Sequence, residues 1–90
     1  MFKLATTSQF EKDYKLCLKR GYKMTLLHKL FEQLEKTGEV SLSHKPHKLT
    51  GEYKGFLECH IRPDWLLIWQ EDKRSKTITL TRTGTHADLF

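Results

Sequence analysis

The stretch HIRPDWLLIW, residues 60–69, joins a turn signal to a run of four large apolar residues. Pro63 presets φ for the second position of a tight turn, and Asp64 accepts the bridging conformation that follows. The stretch therefore predicts that one strand ends at His60, that the next begins at Trp65, and that Asp64 lies exposed at the corner. Such a hairpin can present polar groups to a ligand, although an ordinary solvent-facing turn has the same pattern.

Four strands are predicted in the chain, two of them joined by this turn. Residues 53–61 form the predicted strand before it, and residues 65–70 form the predicted strand after it. Residues 77–83 alternate Thr with Ile and Leu, the period of a half-buried strand. Residues 2–4 are a short alternating segment at the start of the chain. The C-terminal half is therefore predicted to be a three-stranded meander.

Two helices are predicted between the first strand and the meander. Ser8 is the expected N-cap of the first helix, Glu11 completes a capping box, and Gly21 follows the helix end. The second helix covers about residues 23–36 and is closed by Gly38. Apolar residues at helical spacing mark the faces expected to be buried: Phe10, Tyr14, Cys17 and Leu18 in the first helix, and Met24, Leu27, Leu30, Phe31 and Leu34 in the second.

The order of these elements predicts an α+β fold. A helical hairpin would cover one face of an antiparallel sheet, and the other face would be open to solvent or a ligand. Residues 1–90 are expected to form a single domain, because the chain is short and 38% hydrophobic. No signal peptide or membrane-spanning run is recognised, and Cys17 and Cys59 stand alone, as is typical of reduced thiols in a cytoplasmic protein.

Positive charge is concentrated in the first half of the chain. Residues 1–50 hold ten Lys and Arg against five Asp and Glu, whereas residues 51–90 hold six of each. Helical spacing places Lys12, Lys15 and Lys19 opposite the apolar face of the first helix. A pI of about 9.3 indicates a polyanionic partner, either nucleic acid or an acidic protein, although the stripe also fits an ordinary solvated face.

Imidazoles gather near predicted strand ends. His47 lies in the loop over residues 37–51, whereas His60 and His86 lie at or beyond the ends of strands, where Asp64 and Arg82 also occur. Ends of antiparallel strands can meet at one rim of a sheet. Imidazoles supply a general base and a general acid near neutral pH, and Arg stabilises phosphoryl charge. The set fits metal-free RNA cleavage in which the substrate 2′-hydroxyl is the nucleophile.

Two other kinds of site are considered. His44, His47, His60 and Asp64 could bind a divalent metal, but loop spacing is weak evidence and a nearby Arg disfavours a cation. Cys59 beside His60 could be a nucleophile, but adjacent strand residues point to opposite faces. No metal and no cofactor are therefore predicted.

Four motifs resemble the YafQ branch of the RelE-type bacterial toxins. They are HKLTG at residues 47–51, YKG at residues 53–55, HIRPDWLLI at residues 60–68, and RTGTHADLF at residues 82–90. The order of strand, two helices, loop and three strands resembles that family over the whole chain. The first 40 residues carry a helix pattern rather than a motif.

The resemblance implies a ribosome-dependent endoribonuclease, the toxin of a type II toxin–antitoxin pair. Such a toxin enters the ribosomal A site, cuts mRNA and stops translation, and its partners are an antitoxin, ribosomal RNA and mRNA. It needs no membrane and no small-molecule cofactor. Seven positions match the functional positions of the family: His47, His60, Asp64, Trp65, Arg82, His86 and Phe90.

Roles for these residues follow from the resemblance as hypotheses. His86 and Asp64 would exchange protons with the 2′-hydroxyl and the leaving 5′-oxygen. His47 and His60 would position the phosphate and tune those groups, and Arg82 would offset charge in the transition state. Which group is the base and which is the acid stays open.

The remaining expectations concern binding. Trp65 and Phe90 would stack on the nucleotide, wall it in, or pack beneath the site. A set of basic residues would face ribosomal RNA, where phosphate contacts supply affinity without reading sequence, namely Lys12, Lys15, Lys19, Arg20, Lys45 and Lys48. The alternative is a binding module that inhibits translation or joins a repressor complex without cleaving RNA.

Overall fold

A strand and two helices form the first part of the chain, in the predicted order. The computed structural model describes residues 1–90, and its first elements are β1 (Lys3–Thr6), α1 (Ser8–Lys19) and α2 (Met24–Thr37). The backbone turns left-handed at Gly38, where φ is 76°. A Cβ there would lie 2.5 Å from the Phe2 ring, so glycine is required at the end of α2.

The start of α1 differs from the prediction by one residue. Thr7, not Ser8, is the N-cap, and its Oγ1 accepts a hydrogen bond of 3.0 Å from the Phe10 amide. The same hydroxyl donates to the carbonyl oxygen of Thr81 at 2.9 Å. Thr7 and Ser8 both have hydroxyl groups that can cap a helix. Thr7 is the N-cap because its hydroxyl also bonds to Thr81 of the sheet. The predicted capping box between Ser8 and Glu11 is therefore wrong.

The buried face of α1 is also rotated from the prediction. Leu18 is 52% exposed, whereas Asp13 is only 7% exposed. The rotation places the Asp13 carboxylate against the edge of the sheet, where it has hydrogen-bond donors. The stripe of α2 agrees better with the prediction, since Leu27, Leu30 and Leu34 are fully buried and Met24 and Phe31 are partly buried.

The sheet has five strands in the order β1-β5-β4-β3-β2. The remaining elements are β2 (His47–Lys48), β3 (Leu57–Arg62), β4 (Trp65–Asp72), β5 (Thr77–Gly84) and the terminal helix α3 (His86–Leu89). The α+β class and the meander are confirmed. The sheet is mixed rather than antiparallel, because β1 pairs with β5 in parallel. A two-residue period gives the buried face of a strand but not the direction of its neighbour.

Two segments before the meander depart from the predicted boundaries. β3 begins at Leu57 rather than at residue 53, because a 3₁₀ turn occupies Gly51–Tyr53. Gly51 and Gly55 both have positive φ and interrupt the extended chain. Within the predicted loop, β2 pairs with β3 and so carries His47 to the sheet.

Side chains from both faces of β4 are buried, which creates two cores. Trp65, Leu67 and Trp69 join the main core beneath the helices. Leu66 and Ile68 form a second core with Leu89 on the opposite face, and three further residues cover it: Leu49, Tyr53 and Phe56. The face expected to be open is therefore partly covered by the loop and α3. No helix of the fold has the length and apolar character needed to span a bilayer.

Candidate active site

Three imidazoles lie in a row on one rim of the sheet. The ring centroids of His47 and His60 are 6.4 Å apart, and those of His60 and His86 are 5.8 Å apart. The three residues come from β2, β3 and α3. The predicted convergence of these side chains is therefore confirmed, although the chain separates the first from the last by almost 40 residues.

Strand register explains how His60 and His86 become neighbours. His60 pairs with Leu66 across β3 and β4, and Leu66 pairs with Gly84 across β4 and β5. Gly84 ends β5, and Thr85 caps the short helix that begins at His86. The central strand of the meander thus aligns the two strand ends that carry the imidazoles.

Asp64 holds His86 through two hydrogen bonds. Its Oδ1 accepts from the His86 backbone N–H at 2.9 Å and from the ring Nδ1 at 2.6 Å. The backbone bond first, and then the ring bond, lowers the pKa of Asp64 below its ordinary value, so this carboxylate stays ionised. An ionised Asp64 can only accept, so the proton of this bond lies on Nδ1 of His86 and Nε2 points away from the carboxylate. In this geometry Asp64 orients His86, and its predicted proton-transfer role stays a prediction.

His47 faces oxygen acceptors with both of its ring nitrogens. Nδ1 lies 3.0 Å from the Lys45 carbonyl oxygen, and Nε2 lies 3.2 Å from Oε1 of Glu58. Glu58 is 5% exposed, and its Oε2 has no hydrogen-bond partner. Sequence reasoning missed Glu58, although a charged residue two positions before His60 in a strand shares its face.

Arg82 is held by a carboxylate that the sequence did not suggest. Asp13 Oδ2 accepts from Arg82 Nε at 2.7 Å, and Oδ1 accepts from Nη2 at 3.2 Å. This pairing raises the pKa of Arg82. A weak third bond joins Nη2 to the Asp88 carbonyl oxygen at 3.5 Å, and Nη1 is left for a ligand. The detectable signal was an Asp within the apolar stripe between Phe10 and Cys17.

The two predicted aromatic contacts have different positions. Trp65 is 3% exposed, and its Nε1 donates to Thr83 Oγ1 at 3.0 Å. Of the three alternatives for Trp65, packing beneath the site fits this burial, and its assignment to substrate binding is corrected. Phe90 is 64% exposed, and its ring centroid lies 5.5 Å from that of Tyr53. Only Phe90 is available to contact a nucleotide.

The basic residues predicted to meet RNA do not all remain free. All six are exposed, namely Lys12, Lys15, Lys19, Arg20, Lys45 and Lys48. Arg20 also binds Asp88 through two hydrogen bonds, from Nη1 at 2.6 Å and from Nη2 at 3.1 Å. Arg20 therefore connects α1 to the C-terminal helix, and its role in RNA binding stays a prediction.

The hydrogen bonds of Asp88 lead to a prediction about how the stability of the fold depends on pH. Asp88 accepts from Arg20 and from the Thr85 amide, and these bonds lower its pKa well below the ordinary range. Its contribution to stability is therefore full above about pH 4 and is lost as the pH falls toward the folded pKa. We expect Asp88→Ala to lower the free energy of unfolding by about 1 kcal/mol at pH 7. Urea unfolding at pH 3 should give a smaller difference, and Glu32→Ala is the exposed control.

The geometry does not support the metal site or the cysteine nucleophile that were considered from the sequence. Burial raises the pKa of the Cys17 thiol to about 11 and that of the Cys59 thiol to about 12, so neither is an activated nucleophile. No three His, Cys, Asp or Glu side chains are grouped as metal ligands. His44 lies apart from the row, and its Nδ1 donates to the His60 carbonyl oxygen at 3.0 Å.

Comparisons with known proteins cover the whole chain. A family model described as the bacterial toxin of a type II toxin–antitoxin system, YafQ, matches residues 2–90. The mRNA interferase toxin YafQ of Escherichia coli K12 is 39% identical over 85 residues, which are 93% of this chain and 90% of that protein.

Two solved structures extend the likeness to the fold. A metal-bound toxin from Helicobacter pylori has a TM-score of 0.91 and 38% identity, with full coverage of both chains. YafQ in the DinJ–YafQ toxin–antitoxin complex of E. coli has a TM-score of 0.89 and 36% identity, covering 99% of this chain and 97% of that chain. The predicted α+β arrangement is therefore shared with solved toxin structures.

Proposed function

The chain belongs to the YafQ family of bacterial type II toxins, and from this membership we propose that it cuts mRNA in the ribosomal A site and so arrests translation. The observation that carries the proposal is the row of three imidazoles, whose last member is oriented by Asp64. Its relative in E. coli is named an mRNA interferase. A protein that only binds would not need paired proton-transfer groups at an exposed rim.

His86 and His60 are the proposed acid–base pair. Their ring centroids are 5.8 Å apart, so the edges of both rings can contact one phosphoryl group, whereas His47 is one ring farther along the row. Nε2 of His86 removes the proton from the 2′-hydroxyl, whose oxygen then attacks phosphorus. The bond to the 5′-oxygen breaks, and protonated His60 gives that oxygen a proton. The products are a 2′,3′-cyclic phosphate and a 5′-hydroxyl.

Charge at the transition state is offset from both ends of the row. Arg82 is fixed by Asp13 and has Nη1 free for a phosphoryl oxygen. His47, held between the Lys45 carbonyl and Glu58, is proposed to contact the phosphate from the other end of the row. Preorganised donors of this kind cost no rearrangement during reaction. Phe90, exposed at the terminus, is proposed to wall in the nucleotide.

The test is to map mRNA 5′ ends by primer extension with purified ribosomes and toxin. We expect cuts in phase with the reading frame, which move by one nucleotide when one nucleotide is inserted upstream, and which are absent without ribosomes. Toxin stripped of metal by EDTA and then dialysed should cut equally well, since the reaction assigns no step to a metal. Inhibited translation without any cuts would support the alternative of a non-cleaving binding module.

Ribosome binding is assigned to five lysines, three on α1 and two beside or within β2, namely Lys12, Lys15, Lys19, Lys45 and Lys48. All five side chains are exposed. We expect replacement of Lys12, Lys15 and Lys19 by Gln to weaken ribosome binding and to reduce the slope of log affinity against log salt by about 2–3.

A matched variant removes the same charge elsewhere. Lys3, Lys29 and Lys36 are exposed lysines of β1 and α2, and their replacement by Gln should leave the salt slope nearly unchanged. Equal slopes for the two triple variants would show that the α1 lysines are an ordinary solvated surface.

The proposed partners are a cognate antitoxin, the ribosome and mRNA, and the proposed place of action is the cytoplasm, where ribosomes are found. The E. coli relative is solved in complex with the antitoxin DinJ. A formal net charge of +5 favours an antitoxin segment that carries negative charge.

A further inference from the structure

A groove opens beside the catalytic rim, between the α1–α2 connection and the β3–β4 turn. Its volume is about 520 Å³, within the range of small-ligand sites. Tyr22 and Lys23 line one side, and Arg62 and Asp64 line the other. We call this space the hairpin groove. None of these four residues except Asp64 has been given a function above.

Positive charge is available within the hairpin groove. Arg62 and Lys23 are both exposed. The four ion pairs of the structure involve other residues, so neither cation is neutralised by a carboxylate of the chain. Their charges can therefore be used by an anionic ligand, and the guanidinium of Arg62 can contact two phosphate oxygens at once.

An aromatic ring is held in place at the same groove. Tyr22 is partly exposed and packs edge-on against buried Trp65, with ring centroids 4.8 Å apart and an interplanar angle of 60°. The guanidinium of Arg20 lies 5.9 Å from the centroid of the Tyr22 ring. A fixed aromatic ring is a platform on which any nucleobase can rest, whatever its identity.

The groove adjoins His86 through Asp64. Asp64 forms part of its wall and also bonds to Nδ1 of His86 at 2.6 Å. An RNA strand extends on both sides of its scissile phosphate. When that phosphate lies between His60 and His86, a neighbouring nucleotide is brought to the mouth of the groove.

We propose that the hairpin groove binds the nucleotide next to the scissile phosphate of mRNA, with Arg62 and Lys23 on its phosphate and Tyr22 beside its base. This inference rests on the proposed function and adds a substrate subsite to it. An acidic antitoxin segment is the rival occupant. RNA is favoured over the antitoxin because Asp64 both lines the groove and bonds to His86, so the groove begins beside the reacting part of the RNA strand.

The test measures toxin binding to ribosomes whose mRNA carries a 2′-deoxynucleotide at the cut, which prevents cleavage. Each phosphate that flanks the cut is replaced in turn by an uncharged methylphosphonate. We expect the wild type to bind about tenfold more weakly at one of these positions. Arg62→Gln should bind unmodified mRNA about tenfold more weakly. At that position it should lose less than the wild type, because only Lys23 remains on the phosphate, whereas Lys29→Gln should behave like the wild type.

Other outcomes are equally clear. The affinity lost through Arg62→Gln and the affinity lost through a methylphosphonate could add up in full at every position. Arg62 would then not contact either flanking phosphate of the mRNA, and the proposed subsite would be overturned. A loss of affinity for the antitoxin alone would assign the groove to that protein. If the wild type does not bind programmed ribosomes at all, the proposed function itself fails, and the subsite fails with it.

Discussion

Replacement of His86 by Ala is expected to lower the rate of mRNA cleavage on programmed ribosomes by about 100- to 10,000-fold, the usual contribution of a general base. This imidazole is oriented by a carboxylate through the 2.6 Å contact with Asp64. The measurement is the single-turnover rate with saturating toxin, so that weaker binding does not contribute. Circular dichroism should be unchanged, because His86 is exposed.

The Asp64 bond gives this prediction a second part. Asp64→Asn removes the charge that stabilises the imidazolium formed at His86, and it should slow cleavage by at least about 100-fold. If Asp64 acts only through His86, the double variant will be no slower than His86→Ala alone. If instead the rate reductions of the two single variants multiply in the double variant, Asp64 contacts the substrate directly. His28→Gln, which alters an exposed histidine away from the row, should retain the wild-type rate.

Replacement of Asp13 by Ala is expected to lower the free energy of unfolding by about 3 kcal/mol, the lower end of the cost of breaking a buried ion pair. The Asp13 carboxylate accepts bonds from Arg82 and, at 3.2 Å, from the backbone N–H of Thr83. Its loss leaves a largely buried guanidinium and a buried amide without their acceptor. Arg82 is still 22% exposed on its side chain, which keeps the cost at that lower end.

Thermal unfolding gives the same test in another form. A loss of about 3 kcal/mol in a domain of this size lowers Tm by roughly 10–20 °C. Glu32→Ala removes an exposed carboxylate of α2 and should shift the free energy of unfolding by less than about 0.5 kcal/mol. A similar small effect for Asp13→Ala would show that the Arg82 pair contributes little to the fold. Arg82→Lys should recover only part of the pair, since Lys lacks the bidentate fork.

The sequence was informative wherever a local pattern has one structural solution. The Pro63–Asp64 turn, the left-handed end of α2 at Gly38 and the apolar stripe of α2 all occur where they were predicted. Motif resemblance identified His47, His60 and His86 as one group, and these are the rings that the structure brings together. Each of these features depends on residues close in the chain or on a motif long enough to be specific.

Long-range pairing could not be predicted in the same way. Asp13 and Arg82 are 69 residues apart, and Arg20 and Asp88 are 68 apart. A charged residue on a helix carries no local mark of its partner, so Asp13 was overlooked and the bond of Arg20 to Asp88 was not foreseen. The position of Trp65 stayed open for a related reason. Every residue in the stretch 65–69 is apolar, so alternation could not show which side chains face the site.

The sequence by itself determined the secondary elements, the fold class and the chemical groups at the rim, because turn chemistry, hydrophobic period and motif identity are local properties of the chain. Only the tertiary structure decided that β1 joins β5 in parallel, that Asp64 orients His86, and that Arg82 is held by Asp13. The physical reason is that partners and directions are chosen by the packing of distant segments, where burial of a charge requires a specific acceptor.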